Sequence, residues 1–213
     1  MPLTLLHHDA PFHALAVWRM DEPTDKLMTL AALTPQEEKH YQAIKLEKRR
    51  REWLVARLLL KQLLPEAVVL NHTNGKPYIA GGPFISFSHS DHFAALITAS
   101  VPCGVDIQRP DQKIARIHSK FILEEDMANA PADEQSRLRW ITIVWSAKEA
   151  IFKCFGEHVH FATDIRMHPF IPEDSRLRAD YHGVHGTQSF FLEVRRMDDY
   201  YFALTPALNT PQL

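Results

Sequence analysis

Hydrophobic residues recur along this chain with two periods, and each change of period marks a boundary between elements. Residues 14–18 form a short apolar run of the kind a buried strand shows. Thr34-Pro35-Gln36-Glu37 begins a helix: Thr34 is the N-cap, Pro35 takes the first helical position, and Glu37 follows three residues after the cap. Helical spacing continues to about residue 64, with a break near Lys45. In its second part Trp53, Leu54, Leu58, Leu60 and Leu64 oppose a face of Lys48, Arg49, Arg50, Arg51, Arg57 and Lys61. Strand-like runs follow at 68–71, 78–79, 84–88, 92–99 and 103–108, divided by turn signals at Asn74-Gly75, Gly81-Gly82-Pro83 and Val101-Pro102. Helical spacing returns at 113–122, 124–130 and 134–155, with Gly156 as a fitting stop. Leu138, Ile141, Trp145, Phe152 and Phe155 fall near one face of the longest helix. The tail reads as strands at 164–170, 176–181, 189–196 and 200–204.

Each half therefore combines a helix with a small sheet. This predicts an α+β protein of two lobes, residues 1–100 and 101–213, joined near 99–102. The 213 residues, 46% of them hydrophobic, suffice for an ordinary core, which excludes a disordered chain. A net charge of −2 argues against nonspecific nucleic-acid binding. Cys103 and Cys154 sit in apolar surroundings, without zinc or redox spacing, and read as buried reduced thiols. His7, His8, Asp9 and Pro11 interrupt any signal-peptide core, and no apolar run approaches a membrane span, so a cytoplasmic protein is expected. The pairs His158/His160 and His182/His185 lack partners at metal-site spacing and read as solvated loop residues.

Two short acidic motifs change the picture. GVDIQ puts Asp106 and Gln108 two apart on a strand, hence on one side. WSAKEAIFK spaces Trp145, Glu149 and Lys153 by four, hence along one helix face. Two carboxylates and a lysine can hold a hard cation against a polyphosphate. Alone, each motif is equally a capped turn or an intrahelical ion pair. Glu149, however, lies beside the apolar stripe and needs a partner there. SFSHS (Ser86 to Ser90) offers hydroxyls, an imidazole and turn amides to an anion, or simply caps a turn. Lys76 and Pro77 sit on a rigid hairpin tip.

In this order and spacing, NGKPYI, FISFSHS, GVDIQ and WSAKEAIFK resemble the 4′-phosphopantetheinyl transferases of the larger, surfactin-synthetase-activating class. The resemblance spans roughly residues 34 to 156. It implies two similar lobes, each a small antiparallel sheet packed with helices and related by a pseudo-twofold, with coenzyme A in the cleft between them. It implies transfer of 4′-phosphopantetheine from coenzyme A to a serine of an apo acyl or peptidyl carrier protein, releasing adenosine 3′,5′-bisphosphate. Asp106, Gln108 and Glu149 would hold Mg²⁺, with Mn²⁺ the alternative. Glu149, directly or through a water, would take the serine proton, and Lys153 would stabilise the departing phosphate. Ser88 and His89 would hold a coenzyme A phosphate, Lys76 and Pro77 the adenine loop, and His40, Arg49 and Arg57 would supply further phosphate contacts. Trp145 would pack the core. Many relatives carry Glu where Gln108 stands, and an amide brings no charge to the cation. The acidic carrier would dock on Lys113, Arg116, Ile117, Lys120 and Phe121, and the protein would act as a monomer. A binding-only homologue and a Mg²⁺-dependent phosphohydrolase or nuclease are the competing readings.

Overall fold

The central strands of this protein are apolar on both faces, and that dictates its layering. The computed structural model describes residues 3–10, 13–155, 159–183 and 186–206, with side chains outside 5–10; Gly156, His158 and His185 lie outside the described residues. One antiparallel sheet has the order β1 (Leu3–Ala10), β2 (His13–Arg19), β6 (Phe93–Ala99), β5 (Phe84–His89). A second has the order β7 (Gly104–Gln108), β11 (Tyr200–Thr205), β10 (Gly186–Met197), β9 (Arg176–Gly183), β8 (Ile165–Met167). The strands β3 (Val69–Asn71) and β4 (Pro77–Ile79) form a separate hairpin, whose turn places Gly75 at φ +85°.

The two sheets face each other across Leu15, Val17, Phe93, Ala95, Ile97, Val105, Ile107, Phe202 and Leu204. Alternate residues point outward. Ala16, Trp18, Ala94 and Leu96 meet the helices α1 (Thr24–Ala31), α2 (Pro35–Ala43) and α3 (Glu47–Leu63). Tyr201, Ala203, Leu192 and Val194 meet the long helix α5 (Glu134–Phe155). The result is four layers, helix–sheet–sheet–helix, with strands that bury every side chain, as β6 and β11 do. The α+β expectation, with antiparallel sheets packed against helices, is thus what the chain forms. Among the described residues, no helix is long and apolar enough to cross a membrane.

Local signals worked where they were strong. Thr34 and Glu37 form the reciprocal capping box, the Glu37 amide donating to Thr34 Oγ1 at 3.3 Å and the Thr34 amide to Glu37 Oε2 at 2.9 Å. Helix α5 has the expected bounds, with Asp133 accepting from the Ser136 amide at 2.8 Å at its start. Three expectations need correction. Strand β1 and helix α1 were not foreseen, since β1 carries an irregular pattern and α1 buries only Leu27 and Ala31. The helix expected over 113–122 is a short α4 (Gln112–Arg116) and a 3₁₀ turn, His118–Lys120; another 3₁₀ turn, Glu124–Asn129, follows. The deepest face of α5 is Ile143, Ala147, Ala150, Ile151 and Cys154, whereas Trp145, Phe152 and Phe155 are only half-buried.

Candidate active site

β5 and β7 are adjacent edges of the two sheets, and the site forms where they meet. The hydroxyls of Ser86 and Ser88 stitch this seam by accepting from the amides of Val105 and Ile107, both at 3.2 Å. Gly104 of the GVDIQ motif has a packing reason. A β-carbon there would lie 1.8 Å from the Ala150 carbonyl oxygen, so only glycine lets β7 lie this close to α5.

That close approach brings Asp106 under α5. Asp106 pairs in register with Ala203 and points to the helix side, 4% exposed. Lys153 donates to its Oδ1 at 2.9 Å and to the Val105 carbonyl at 2.7 Å. Ser88 donates to Oδ1 at 3.0 Å and Ser146 to Oδ2 at 3.2 Å. Glu149 sits one turn from both Ser146 and Lys153 and makes no hydrogen bond or ion pair with another described residue. Burial, then the negative charge of Asp106, pushes its carboxyl up to about 7 against the pull of Lys153. Gln108, half-buried, follows Asp106 on the same side of β7.

Among the described residues no group of three or more His, Cys, Asp or Glu side chains is arranged to hold a metal ion. The donor set is two acids and one amide oxygen. It suits an oxygen-seeking cation such as Mg²⁺, which commonly takes one or two carboxylates and completes its shell elsewhere. The observation favouring that fit is Glu149: a desolvated carboxyl, lacking a hydrogen-bonding partner, beside a second carboxylate.

A second charged group lies across the seam. Glu52 on α3 is 6% exposed and accepts from Arg49 at 3.0 Å; its other oxygen lies 3.4 Å from His89 Nδ1. His89 Nε2 is 3.3 Å from Arg49, and burial holds the imidazole below its usual range, with Lys153 adding to the effect. His89 therefore feels charges from both halves. Lys76 donates to the Cys154 carbonyl at 2.6 Å, which puts a cation at the C-terminal end of α5. Beside it, Pro77, Tyr78, Phe84 and Cys103 line a cleft of about 270 Å³.

The remaining expected residues sit elsewhere. His40 stacks on Trp53 with ring centres 5.4 Å apart, and Arg57 lies 4.7 Å over the same ring while pairing with Glu37 at 3.5 Å. They line a groove of about 780 Å³ with Lys61 and Asn71, and no hydrogen bond or ion pair among the described residues ties them to Asp106 or Glu149. Phe121 is fully buried, its ring 4.9 Å from Trp145, so it cannot be part of a docking surface as expected; Lys113, Arg116, Ile117 and Lys120 are exposed. Both cysteines are free and buried.

Two residues of the candidate site, Ser146 and Glu52, escaped the sequence reading, and a third, Ser88, takes a different role. Ser146 was legible, three residues before Glu149 on the same helix face. Glu52 lay hidden within a basic run and is notable only because it is buried. Ser88 was read as a phosphate contact, but its hydroxyl is committed to Asp106 and Ile107.

Comparison with known proteins now has a geometry to meet. The profile of the 4′-phosphopantetheinyl transferase superfamily matches residues 102–205, which include Asp106, Gln108, Glu149 and Lys153. The chain is also similar to the 4′-phosphopantetheinyl transferase gsp of Aneurinibacillus migulanus, at 26% identity over 113 residues, 51% of this chain. The chain spans about half the length of that curated relative. The resemblance read from the motifs is borne out: residues 102–205 match the 4′-phosphopantetheinyl transferase superfamily, and the chain is similar to a relative of the gsp type.

Proposed function

We propose that this protein moves 4′-phosphopantetheine from coenzyme A to a serine hydroxyl of an apo carrier protein. The observation that carries this reading is the convergence of Asp106, Glu149, Lys153 and His89 from three elements on one seam. Asp106, Glu149 and the Gln108 amide would hold Mg²⁺, which when bound supplies positive charge against the pyrophosphate. Glu149, as a carboxylate, accepts the serine proton directly or through one water. The serine oxygen forms a bond to the β-phosphorus as the bond from that phosphorus to the bridging oxygen breaks. Adenosine 3′,5′-bisphosphate leaves, and Lys153, already between the Val105 carbonyl and Asp106, is placed to balance its charge. His89 and Arg49 supply donors for a phosphate, and Lys76 with Pro77 borders the cleft for the base.

The exposed cations Lys113, Arg116 and Lys120, with Ile117, form the surface proposed for an acidic carrier. A cytoplasmic, monomeric protein belongs to the same reading; the two free, buried thiols agree with a reducing compartment.

The test is intact-mass spectrometry of a panel of apo carriers incubated with the protein, coenzyme A and Mg²⁺. A mass gain of one phosphopantetheine, lost when the metal is omitted, supports the reading. Coenzyme A binding without gain on any carrier leaves a binding protein instead.

A further inference from the structure

Next to Glu149 on α5 is a residue with no place in the chemistry above. Lys148 is 1% exposed, yet its ammonium is fully satisfied. It donates to the carbonyls of Phe121 at 2.7 Å, Phe161 at 2.7 Å and Ile165 at 2.6 Å. A lysine has three N–H donors, and here each meets one acceptor. Burying a cation costs several kcal/mol unless it is paired or fully hydrogen-bonded, so a lysine kept here has a reason to be.

The three acceptors come from separate stretches. Phe121 ends the basic segment that starts at α4. Phe161 begins the short helix α6 (Phe161–Asp164), and Ile165 begins β8. Residues 109–131 join no sheet and hold only short helical turns, so their attachment to the rest is local. That attachment includes Phe121 and Ile122 packed beneath α5 with Ile114, Ala115 and Met127 beside them, the Phe121–Trp145 ring contact, the pairs of Glu125 and Asp126 with Arg166, and the Lys148 bond. Asp126, whose charge Lys148 feels, is itself tied to Arg166 of β8 at 2.8 Å. Successive residues of a helix project about 100° apart. One turn of α5 thus presents Glu149 toward the seam and Lys148 toward the segment carrying Lys113, Arg116 and Lys120.

We propose that Lys148 is a positioning residue for carrier recognition, holding the basic segment and the 161–165 turn in fixed register with Glu149. This rests on the transferase reading above. A carrier seated on 113–120 must deliver its serine to Glu149, and Lys148, next to Glu149 in the chain and hydrogen-bonded to the Phe121 carbonyl, links those two places directly. Displacement of a reacting group by about 1 Å can cost on the order of a hundredfold in rate.

The test uses Lys148→Met, which keeps the stem and removes the donors, with Lys148→Gln as the milder variant. Hydrogen exchange should quicken at 113–122 and 160–166 while α3 and the first sheet stay unchanged. Coenzyme A affinity by calorimetry should stay within twofold, while kcat/KM for the carrier falls about 10- to 100-fold, with partial recovery in Lys148→Gln. Equal losses for both substrates, or unchanged carrier kinetics, overturn the proposal. Unfolding of both variants overturns it too, making the ammonium a folding requirement alone. If the parent protein modifies no carrier, the transferase reading fails and takes the docking role with it. Coenzyme A affinity and exchange then show whether Lys148 still ties the segments.

Discussion

The two halves of this molecule each hold a glutamate, Glu52 buried and Glu149 half-buried, where a helix meets a sheet, and they treat it differently. On α3, Glu52 is surrounded by Arg49 and His89, so its charge is met within the protein. On α5, Lys153 is the one cation among the described residues that offsets the charge of Glu149, and that lysine is already paired with Asp106. Two acids share one cation. The first arrangement is an internal ion group that shapes a wall. The second is short of positive charge and so ready for a ligand that brings it. A buried carboxylate marks a reactive place when its surroundings leave it uncompensated, not merely when it is buried.

The largest expected effect tests that contrast directly. Glu149→Gln should lower holo-carrier formation by about a hundredfold or more, read by intact mass, because it removes the proposed base and a charge from the proposed cation site. Near-normal turnover would remove Glu149 from the mechanism. The same exchange at the other half, Glu52→Gln, should leave the base in place and mainly weaken coenzyme A binding, by about tenfold in calorimetry, as Arg49 and His89 lose their anchor.

Stability should separate the halves by sign. In the metal-free protein the Glu149 carboxyl stands at about 7, above its unfolded value, so the folded state holds that proton more tightly. Its contribution is fully present below the unfolded value of 4.5 and is lost as pH rises through 7. Glu149→Gln should therefore be more stable than the parent at pH 8, by about 2 kcal/mol in urea unfolding, and the gain should shrink toward pH 5. Glu52→Gln should be less stable than the parent by about 1–3 kcal/mol, because it breaks up a buried charged group. Same-sign changes would mean that the two acids are not differently compensated.

Smaller effects sharpen the picture. Gln108→Glu supplies a third carboxylate and should tighten Mg²⁺ binding several-fold in calorimetry. Arg116→Glu should raise the carrier's KM about threefold to tenfold and leave coenzyme A binding unchanged, with the effect fading at high salt. A coenzyme A effect from Arg116→Glu would move carrier docking elsewhere.

How far the sequence could be read follows from the range of each interaction. The capping box at Thr34 and Glu37 and the full length of α5 were legible, because hydrogen bonding within a turn and a sustained apolar period are local. Asp106, Glu149 and Lys153 were legible through their spacing and their resemblance to known motifs. Strand β1 was not, since its place is set by pairing with β2 rather than by its own pattern. Phe121 seemed a surface residue on an amphipathic helix, and became core when that helix broke into turns beneath Trp145.

By itself the sequence determined most of the elements, the α+β class and the acids that could hold a cation, because these rest on neighbours a few residues apart. Tertiary structure alone decided what those groups do. It tied Ser88 to Asp106, paired Glu52 with His89, left Glu149 sharing the charge of Lys153 with Asp106 and closed Lys148 around three carbonyls. Desolvation and charge compensation depend on atoms brought together from residues 49 to 165, and no local pattern of side chains records that meeting.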